Sequence, residues 1–207
     1  ALEVVRQTGC RLLGITISRQ QYDWTTRRVR EEGLEDKIEI QLTDYRHVQG
    51  RFSKIVSIEM LEAVGHRHLP LYFRTLDRLL LPHGRIALQV ISMPDQKYLQ
   101  YRLGADWIRK HIFPGGHLPS IGAIVAAMTR RTGLNVCEME DIGRHYVRTL
   151  ALWREALLNQ SEQVMALGFD AAFLRKWEYY FSYCEAGFHN RLIRNYMLAL
   201  NRMGEAE

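Results

Sequence analysis

The sequence has few cysteines and no long apolar run. Its 207 residues contain three cysteines, Cys10, Cys137 and Cys184, with no CxxC pair and no histidine partner at zinc-finger spacing. We therefore expect neither a disulfide framework nor a metal site. No uncharged apolar stretch reaches the roughly 18 residues typical of a membrane-spanning helix. Residues 1–9 lack the apolar core of a signal peptide, so we expect a cytoplasmic protein.

The sequence also lacks an internal boundary. No linker rich in proline, glycine or serine and no repeat divides it, so we expect one domain over residues 1–207. The formal net charge of +5 indicates attraction to anionic surfaces, either nucleic acid or phospholipid headgroups, or merely a solvated basic face. Because no segment interleaves aromatic and basic residues as a nucleic-acid module does, no nucleic-acid partner is expected.

Short apolar runs alternate with helical patterns in the first half. The patterns predict strands over 11–17, 38–42, 52–58 and 85–91, and helices over 19–32 and 68–81. This alternation predicts an α/β fold with a doubly wound parallel sheet. The second half is mostly helical. We expect segments 98–133 and 145–188 to form a helical cap or lid, 136–142 to form a strand, and 193–200 to close the sheet as an antiparallel edge strand.

A glycine-rich turn is missing where an α/β nucleotide-binding fold normally has one. In such folds the first strand runs into this turn, which lets the backbone approach the ligand. Here a predicted helix over 2–7 leads directly to the strand at 11–17. We therefore expect that the first strand and its glycine-rich loop lie outside this sequence, which would then be truncated at its N-terminal side.

Several short motifs occur in the order found in the cyclopropane-fatty-acid synthase and mycolic-acid cyclopropane synthase family. They are Gly14–Gln21, Asp44–Arg46, Ile55–Gly65, Tyr72–Phe73, Ile112–Ser120, Tyr146 with Thr149, Leu150 and Trp153, and Tyr179–Tyr180 followed by Cys184–Phe188. The chain resembles this family across almost its whole length. The resemblance implies a Rossmann-like class I methyltransferase sheet, S-adenosyl-L-methionine (SAM) as cofactor, and a bound bicarbonate ion.

The resemblance assigns the cofactor site to residues that follow three strands. Implied contacts are Thr16, Ile17, Ser18 and Gln21 after the first strand of the sequence, Asp44 and Tyr45 beside the adenine, and Ile58 as a wall of the pocket. Each position also has an ordinary structural explanation. Ser18 is a typical helix cap, an Asp-Tyr pair is common in turns, and Ile58 would otherwise count as core.

The resemblance also implies an ion site around Glu62, Tyr146 and the region of Cys184. Glu62 follows a strand in apolar surroundings, where a carboxylate must be paired or hydrogen-bonded. Gln89 stands where well-known members carry histidine, and it cannot take up a proton near neutral pH. The bicarbonate would then have to accept the proton. Glu59 matches a position that is small in other members and is assigned no role.

The implied activity is the SAM-dependent transfer of a methylene group to the double bond of an unsaturated acyl chain, which forms a cyclopropane. The acyl chain would be carried by a phospholipid or a carrier, and we expect peripheral contact with the inner face of the membrane. Basic candidates for that contact are Arg102, Arg109, Lys110, Arg130 and Arg131. A branched product, small-amine N-methylation, a basic binding module, an inactive fragment, and a homodimer remain open alternatives.

Overall fold

A computed structural model describes residues 1–204, and the chain divides into two compact units, Ala1–Gly50 and Arg51–Glu207. The prediction of one domain over residues 1–207 stays a prediction. The two units are built differently, and each is described by itself.

The first unit is a small α/β arrangement. It contains α1 (Leu2–Thr8), β1 (Leu12–Thr16), α2 (Arg19–Glu31) and β2 (Ile38–Leu42). The two strands pair in parallel, with Leu12 opposite Ile38. Val5, Val29 and Ile38 form its buried cluster. The helix α2 begins where the sequence predicts it, because the Ser18 Oγ accepts a hydrogen bond from the Gln21 N–H at 3.3 Å.

The second unit holds a four-stranded mixed sheet in the order β3-β4-β6-β5. Its elements are β3 (Phe52–Ile58), α3 (Leu69–Leu79), β4 (Leu80–Ser92), α4 (Asp95–Leu103), α5 (Trp107–His111), α6 (Ile121–Thr129), β5 (Leu134–Asp141), α7 (Gly143–Asn159), α8 (Ser161–Ala166), α9 (Ala171–His189) and β6 (Arg194–Arg202). β3 and β4 are parallel, and β6 is antiparallel to both of its neighbours.

The expectation that the last strand lies at the sheet edge is wrong. β6 pairs with β4 on one side and β5 on the other, so β5 forms the edge. The side chains explain this order. β6 buries Asn195, Leu198 and Leu200, whereas β5 exposes acidic residues such as Glu138 and Glu140. Exposed charge is typical of an edge strand, because it discourages pairing with another chain.

One face of this sheet packs against α3, whose Tyr72 and Phe73 are almost completely buried. The Tyr72 hydroxyl donates to the Ser57 Oγ at 2.8 Å, which ties α3 to β3. The helix α6, which falls in the expected cap segment 98–133, packs against α3 and β5 and buries Ile124 and Met128. This part of the segment therefore extends the helical layer of the α/β unit.

The helices α7 and α9 pack against each other, and α7 also contacts β6. Their shared core consists of Leu150, Cys184 and Phe188, with Tyr146 and Tyr180 packed around it. This arrangement places Tyr146 next to the sheet. Whether these helices cover a substrate stays a prediction. Within residues 1–204, no helix combines the length and the apolar character that crossing a bilayer would require.

Candidate active site

Polar side chains from four elements meet at the carboxyl end of β3 and β4. Because these strands are parallel, their carboxyl ends lie at the same edge, where open α/β sheets bind ligands. Glu59 follows β3 directly, and Gln89 lies near the end of β4. Tyr146 comes from the first turn of α7, and Asn195 comes from β6.

One oxygen of the Glu59 carboxylate accepts hydrogen bonds from all three of the other side chains. The Gln89 Nε2 donates at 2.9 Å and the Asn195 Nδ2 donates at 2.8 Å. The Tyr146 hydroxyl donates to the same oxygen, Oε1. The Gln89 Nε2 also donates to the Tyr146 hydroxyl oxygen at 3.1 Å. The four side chains therefore form one network centred on a carboxylate.

The backbone at Glu59 is held in an uncommon conformation. Its φ is +50°, in the left-handed region that non-glycine residues usually avoid. Its N–H donates to the Gln89 carbonyl at 2.8 Å, which continues the parallel pairing of β3 with β4 by one residue. Such a conformation costs roughly 1–2 kcal/mol for an L-residue. Outliers of this kind cluster at functional sites.

Sequence reasoning missed both Glu59 and Asn195. The signal for Glu59 was a pair of departures from the family: Glu59 replaces a small residue, and Gln89 replaces a histidine. The structure shows that these two side chains are hydrogen-bonded to each other. A weaker signal for Asn195 was an amide close to the apolar residues of the last predicted strand. Its side chain is 0% exposed, and its Oδ1 has no partner among the described residues.

Tyr146 is held as a hydrogen-bond donor. Burial raises the pKa of its hydroxyl well above the ordinary value, and the hydrogen bond to Glu59 and the negative charge of that residue raise it further. The hydroxyl therefore stays protonated, so it can keep donating to the carboxylate. Its ring lies 5.1 Å from that of Phe188, centroid to centroid, within the core shared by α7 and α9.

Glu62 lies in a short 3-10 turn after β3, not at the start of an exposed helix. Its Oε1 accepts from the Ile91 N–H at 2.6 Å, and its buried Oε2 has no partner within residues 1–204. Burial raises the pKa of Glu62 to about 7, and the charge of Glu59 adds to the rise, while the bond from Ile91 opposes it. Near neutral pH, Glu62 is therefore divided between its two protonation states.

The carbonyl of Glu62 connects the site to the loop that contains the Phe-Pro-Gly-Gly motif. It accepts from the His117 N–H at 2.8 Å. The His117 ring is in turn hydrogen-bonded to the Tyr98 hydroxyl at 2.8 Å, and burial lowers the pKa of His117 to about 4. His117 is therefore neutral and serves to fix the loop beside Glu62.

Cys184 lies inside the core of α7 and α9, not in the polar network. Burial raises the pKa of its thiol to about 12, so it carries no charge at neutral pH. An inert thiol of this kind is not a nucleophile. The contribution of the Cys184 region to an ion site stays a prediction.

The residues expected to hold bicarbonate do not fit that ion in this arrangement. The Tyr146 O–H and the Gln89 amide N–H groups are bonded within the network around Glu59. A bicarbonate placed among these donors would lie against the Glu59 carboxylate, and two like charges at that distance disfavour each other. The unpartnered Glu62 Oε2 alone does not make an anion site.

The expected cofactor residues of the first unit lie together at the end of β1. The Thr16 Oγ1 donates to the Gln21 Oε1 at 2.7 Å and accepts from the Ser18 N–H at 3.1 Å. These bonds hold the Gln21 amide beside the start of α2. Ile17 lies between Thr16 and Ser18 in the sequence, and its side chain is 78% exposed, so it offers an apolar contact surface.

Asp44 and Tyr45 follow β2 at the same edge, because β1 and β2 are parallel and the Thr43 N–H donates to the Thr16 carbonyl at 2.9 Å. Hydrogen bonds from the side chain and backbone of Arg46 lower the pKa of Asp44 to about 2. The ionised oxygens keep lone pairs for a further donor. The exposed Ile17 and the ionised Asp44 lie at the same sheet edge, an arrangement that suits the ring and the amine of an adenine group.

Ile58, the remaining expected cofactor residue, belongs to the second unit. It ends β3 and is 64% exposed, so it is not a core residue. The second unit therefore presents an apolar side chain next to the network of Glu59, on the same strand end.

Two of the five basic candidates for membrane contact are engaged within the second unit. The Arg109 guanidinium donates to the Tyr101 carbonyl at 2.8 Å and lies 4.4 Å from the centre of the Tyr101 ring. Arg102 donates to the His66 Nε2 at 2.6 Å. The others, Lys110, Arg130 and Arg131, are exposed.

Comparisons of the sequence and the fold show which family the chain belongs to. The profile of the mycolic acid cyclopropane synthetase family matches residues 1–198. The chain is 41% identical over 196 residues to the tuberculostearic acid methyltransferase UfaA1 of Mycobacterium tuberculosis, covering 95% of this chain and 46% of that protein. It is 32% identical over 192 residues to the cyclopropane-fatty-acyl-phospholipid synthase of Escherichia coli K12, covering 92% of this chain and 47% of that protein.

A solved structure shares the fold. The mycolic acid cyclopropane synthase CmaA1, complexed with SAH and CTAB, superposes with a TM-score of 0.87 at 24% identity, covering 96% of this chain and 72% of that one. The fold is therefore that of the class I SAM-dependent methyltransferases. The chain spans about half the length of the curated relatives it matches. With a profile match from residue 1 to residue 198, it belongs to the mycolic acid cyclopropane synthetase family.

Proposed function

We propose that the protein transfers one carbon from SAM to the double bond of an unsaturated acyl chain. The observation that carries this proposal is the half-buried carboxylate network at the carboxyl end of β3 and β4. Addition of a methyl group to an alkene leaves a cation, and a stable product forms only when a nearby base removes a proton. A carboxylate fixed by three donors supplies such a group.

The residues at the strand ends have separate tasks in this proposal. SAM, when bound, supplies an electrophilic methyl group on its sulfonium. Thr16, Ser18 and Gln21 orient the amino-acid part of the ligand, and Asp44 accepts from the amine of the adenine ring. Ile17 and Tyr45 provide the apolar contacts in the first unit, and the role of Ile58 stays a prediction.

Two features of the second unit suit a cationic reaction intermediate. The rings of Tyr146, Tyr180 and Phe188 line the core of α7 and α9 beside the network, and aromatic faces attract positive charge. The same helices are proposed to keep water from the intermediate, since water would trap it as an alcohol.

The proposed product is a cyclopropane on a phospholipid acyl chain, in agreement with the similarity to the Escherichia coli phospholipid synthase. A methyl or methylene branch is a second candidate, because the chain is 41% identical to a tuberculostearic acid methyltransferase. Both reactions need the same methyl donor, the same alkene and the same proton removal. For a cyclopropane the electron pair of the broken C–H bond forms a C–C bond, and for a methylene branch it forms a C=C bond. A saturated methyl branch needs a hydride donor in addition.

We also propose that the protein works in the cytoplasm on lipid at the membrane surface. The exposed Lys110, Arg130 and Arg131 support contact with anionic headgroups. Co-sedimentation with vesicles tests this contact. Binding should increase with the anionic lipid content of the vesicles and fall with added salt.

The activity can be tested with the full-length protein, methyl-labelled SAM and vesicles of oleoyl phospholipid. The proposal predicts label in the acyl chain, and NMR of the released fatty acid distinguishes the ring from the branch. Parallel incubation with glycine and sarcosine tests small-amine methylation. Label in the amine and none in the lipid would overturn the proposal.

A further inference from the structure

The structure places an anionic side chain of the protein where the family resemblance predicts a bound anion. We infer that Glu59 is the catalytic base of the reaction, and that it replaces bicarbonate as the proton acceptor. This inference rests on the proposed function, because it names the group that removes the proton.

The first argument is the set of donors. A bound bicarbonate was expected around Glu62, Tyr146 and the region of Cys184. The Tyr146 hydroxyl donates to the Glu59 Oε1 instead, as does the Gln89 amide. Asn195, which is completely buried, adds a third donor to the same oxygen. A bicarbonate site would consist of neutral donors around an anion. Here the donors surround the Glu59 carboxylate, which is itself the anion.

The second argument is the pairing of two departures from the family. Gln89 replaces a histidine, so it cannot act as a base or carry a positive charge near neutral pH. Glu59 replaces a small residue and introduces a negative charge at bonding distance from Gln89. A neutral amide suits a resident carboxylate because it donates without protonating it. The two replacements are therefore chemically complementary.

The third argument is the backbone. Glu59 keeps a φ of +50°, which glycine would adopt without strain. A side chain retained at such a position is one that the surrounding structure uses, and here the surroundings use it as the acceptor for three donors. The opposite oxygen, Oε2, accepts no hydrogen bond from residues 1–204, so a lone pair remains for a proton.

The proposed proton transfer balances without another reagent. The alkene π pair forms a C–C bond to the methyl carbon as the bond from that carbon to the sulfonium sulfur breaks. A C–H bond, either on the added methyl or on the acyl carbon next to the cation, then breaks, and its proton goes to Glu59 Oε2. The electron pair of that bond closes the cyclopropane if the added methyl loses the proton, or forms a C=C bond if the acyl chain loses it.

Two variants of the full-length protein test the inference. Glu59→Gln keeps an acceptor oxygen for the three donors but cannot take up a proton. We expect kcat to fall about 10²- to 10⁴-fold while the affinity for S-adenosylhomocysteine stays unchanged. Glu59→Gly suits the backbone and leaves room for an anion. Its activity should be equally low in CO2-free buffer and should rise in a saturable way when bicarbonate or formate is added.

A matched control removes the same backbone strain elsewhere. His83 has a φ of +57° outside the site, so His83→Gly should keep full activity and show no response to bicarbonate. Activity of Glu59→Gln near that of the unchanged protein would overturn the inference, as would a Glu59→Gly variant that bicarbonate and formate do not rescue. If the unchanged protein forms no lipid product at all, the proposed function fails instead.

Discussion

The polar groups at the ends of β1 and β2 are held by close neighbours in sequence, whereas those at the ends of β3 and β4 are held by distant ones. In the first unit, Thr16 bonds to Gln21 and Asp44 bonds to Arg46, which lie five and two positions away. In the second unit, Glu59 bonds to residues 30, 87 and 136 positions away. Substitutions that remove local bonds in the first unit should therefore have independent effects. Substitutions in the network around Glu59 should have coupled, non-additive effects.

Apart from changes at Glu59 itself, removal of the Tyr146 hydroxyl should give the largest effect. In Tyr146→Phe the carboxylate of Glu59 loses a donor that burial keeps protonated, so it is held less firmly in place. We expect kcat to fall on the order of 10²- to 10³-fold, as when one oriented donor is removed from an active site. Steady-state product formation measures this change. The control Tyr179→Phe alters an exposed tyrosine and should keep its activity; equal losses in both variants would contradict the account.

The raised pKa of Glu62 should make the free energy of unfolding depend on pH. Its pKa is raised to about 7 in the folded protein, from 4.5 when exposed, so the folded state holds a proton that the unfolded state releases. The contribution of Glu62 to the stability of the folded state is complete below pH 4.5 and is lost as the pH rises through about 7.

Urea unfolding of the full-length protein at about pH 5 and about pH 8 measures this loss, which we expect to be about 2 kcal/mol. Glu62→Gln should abolish that pH-dependent difference, whereas the exposed control Glu140→Gln should keep it. An unchanged pH dependence in Glu62→Gln would show that another group is responsible.

Changes at Asp44 should affect ligand affinity and leave the chemistry intact. Asp44→Ala removes an ionised acceptor at the end of β2, which we expect to cost about 1.5 kcal/mol, or roughly tenfold in the Kd for S-adenosylhomocysteine. Calorimetry with the full-length protein measures that Kd. The exposed Asp36→Ala variant is the control. A large fall in kcat at saturating SAM would contradict the separation of the two tasks.

The smallest effect should come from the cap of α2. Ser18→Ala removes the oxygen that accepts from the Gln21 N–H, and the loss of such a cap costs about 1 kcal/mol. The free energy of unfolding measures it. Since Thr has the same hydroxyl, Ser18→Thr should recover most of the loss, and a variant that gains nothing from threonine would argue against capping.

The sequence predicted the fold well wherever local patterns decide it. β1, α2 and β2 follow from alternating apolar residues and a cap, and β3 and β4 follow from short apolar runs. The place of the last strand could not be predicted in the same way. Whether β6 lies at the edge or inside the sheet depends on where β5 pairs, and that choice joins residues about 60 positions apart, such as Val136 and Leu200.

The site was predicted only where single residues match a motif. Glu62 and Tyr146 were identified in this way, Gln89 was identified as the replacement of a family histidine, and the structure brings all three to one edge of the sheet. Glu59 was dismissed because it departs from the motif, and Asn195 lies outside every motif. The role of both residues depends on the hydrogen bond between them. Because they lie 136 positions apart in the sequence, no local pattern predicts this bond.

The rate of the unchanged full-length protein at different bicarbonate concentrations tests the central claim most directly. Acyl product is measured in buffer freed of CO2 and then with bicarbonate added in steps. If Glu59 is the base, the rate in CO2-free buffer equals the rate at the highest bicarbonate concentration. A rate that is close to zero without bicarbonate and rises with its concentration would contradict the account.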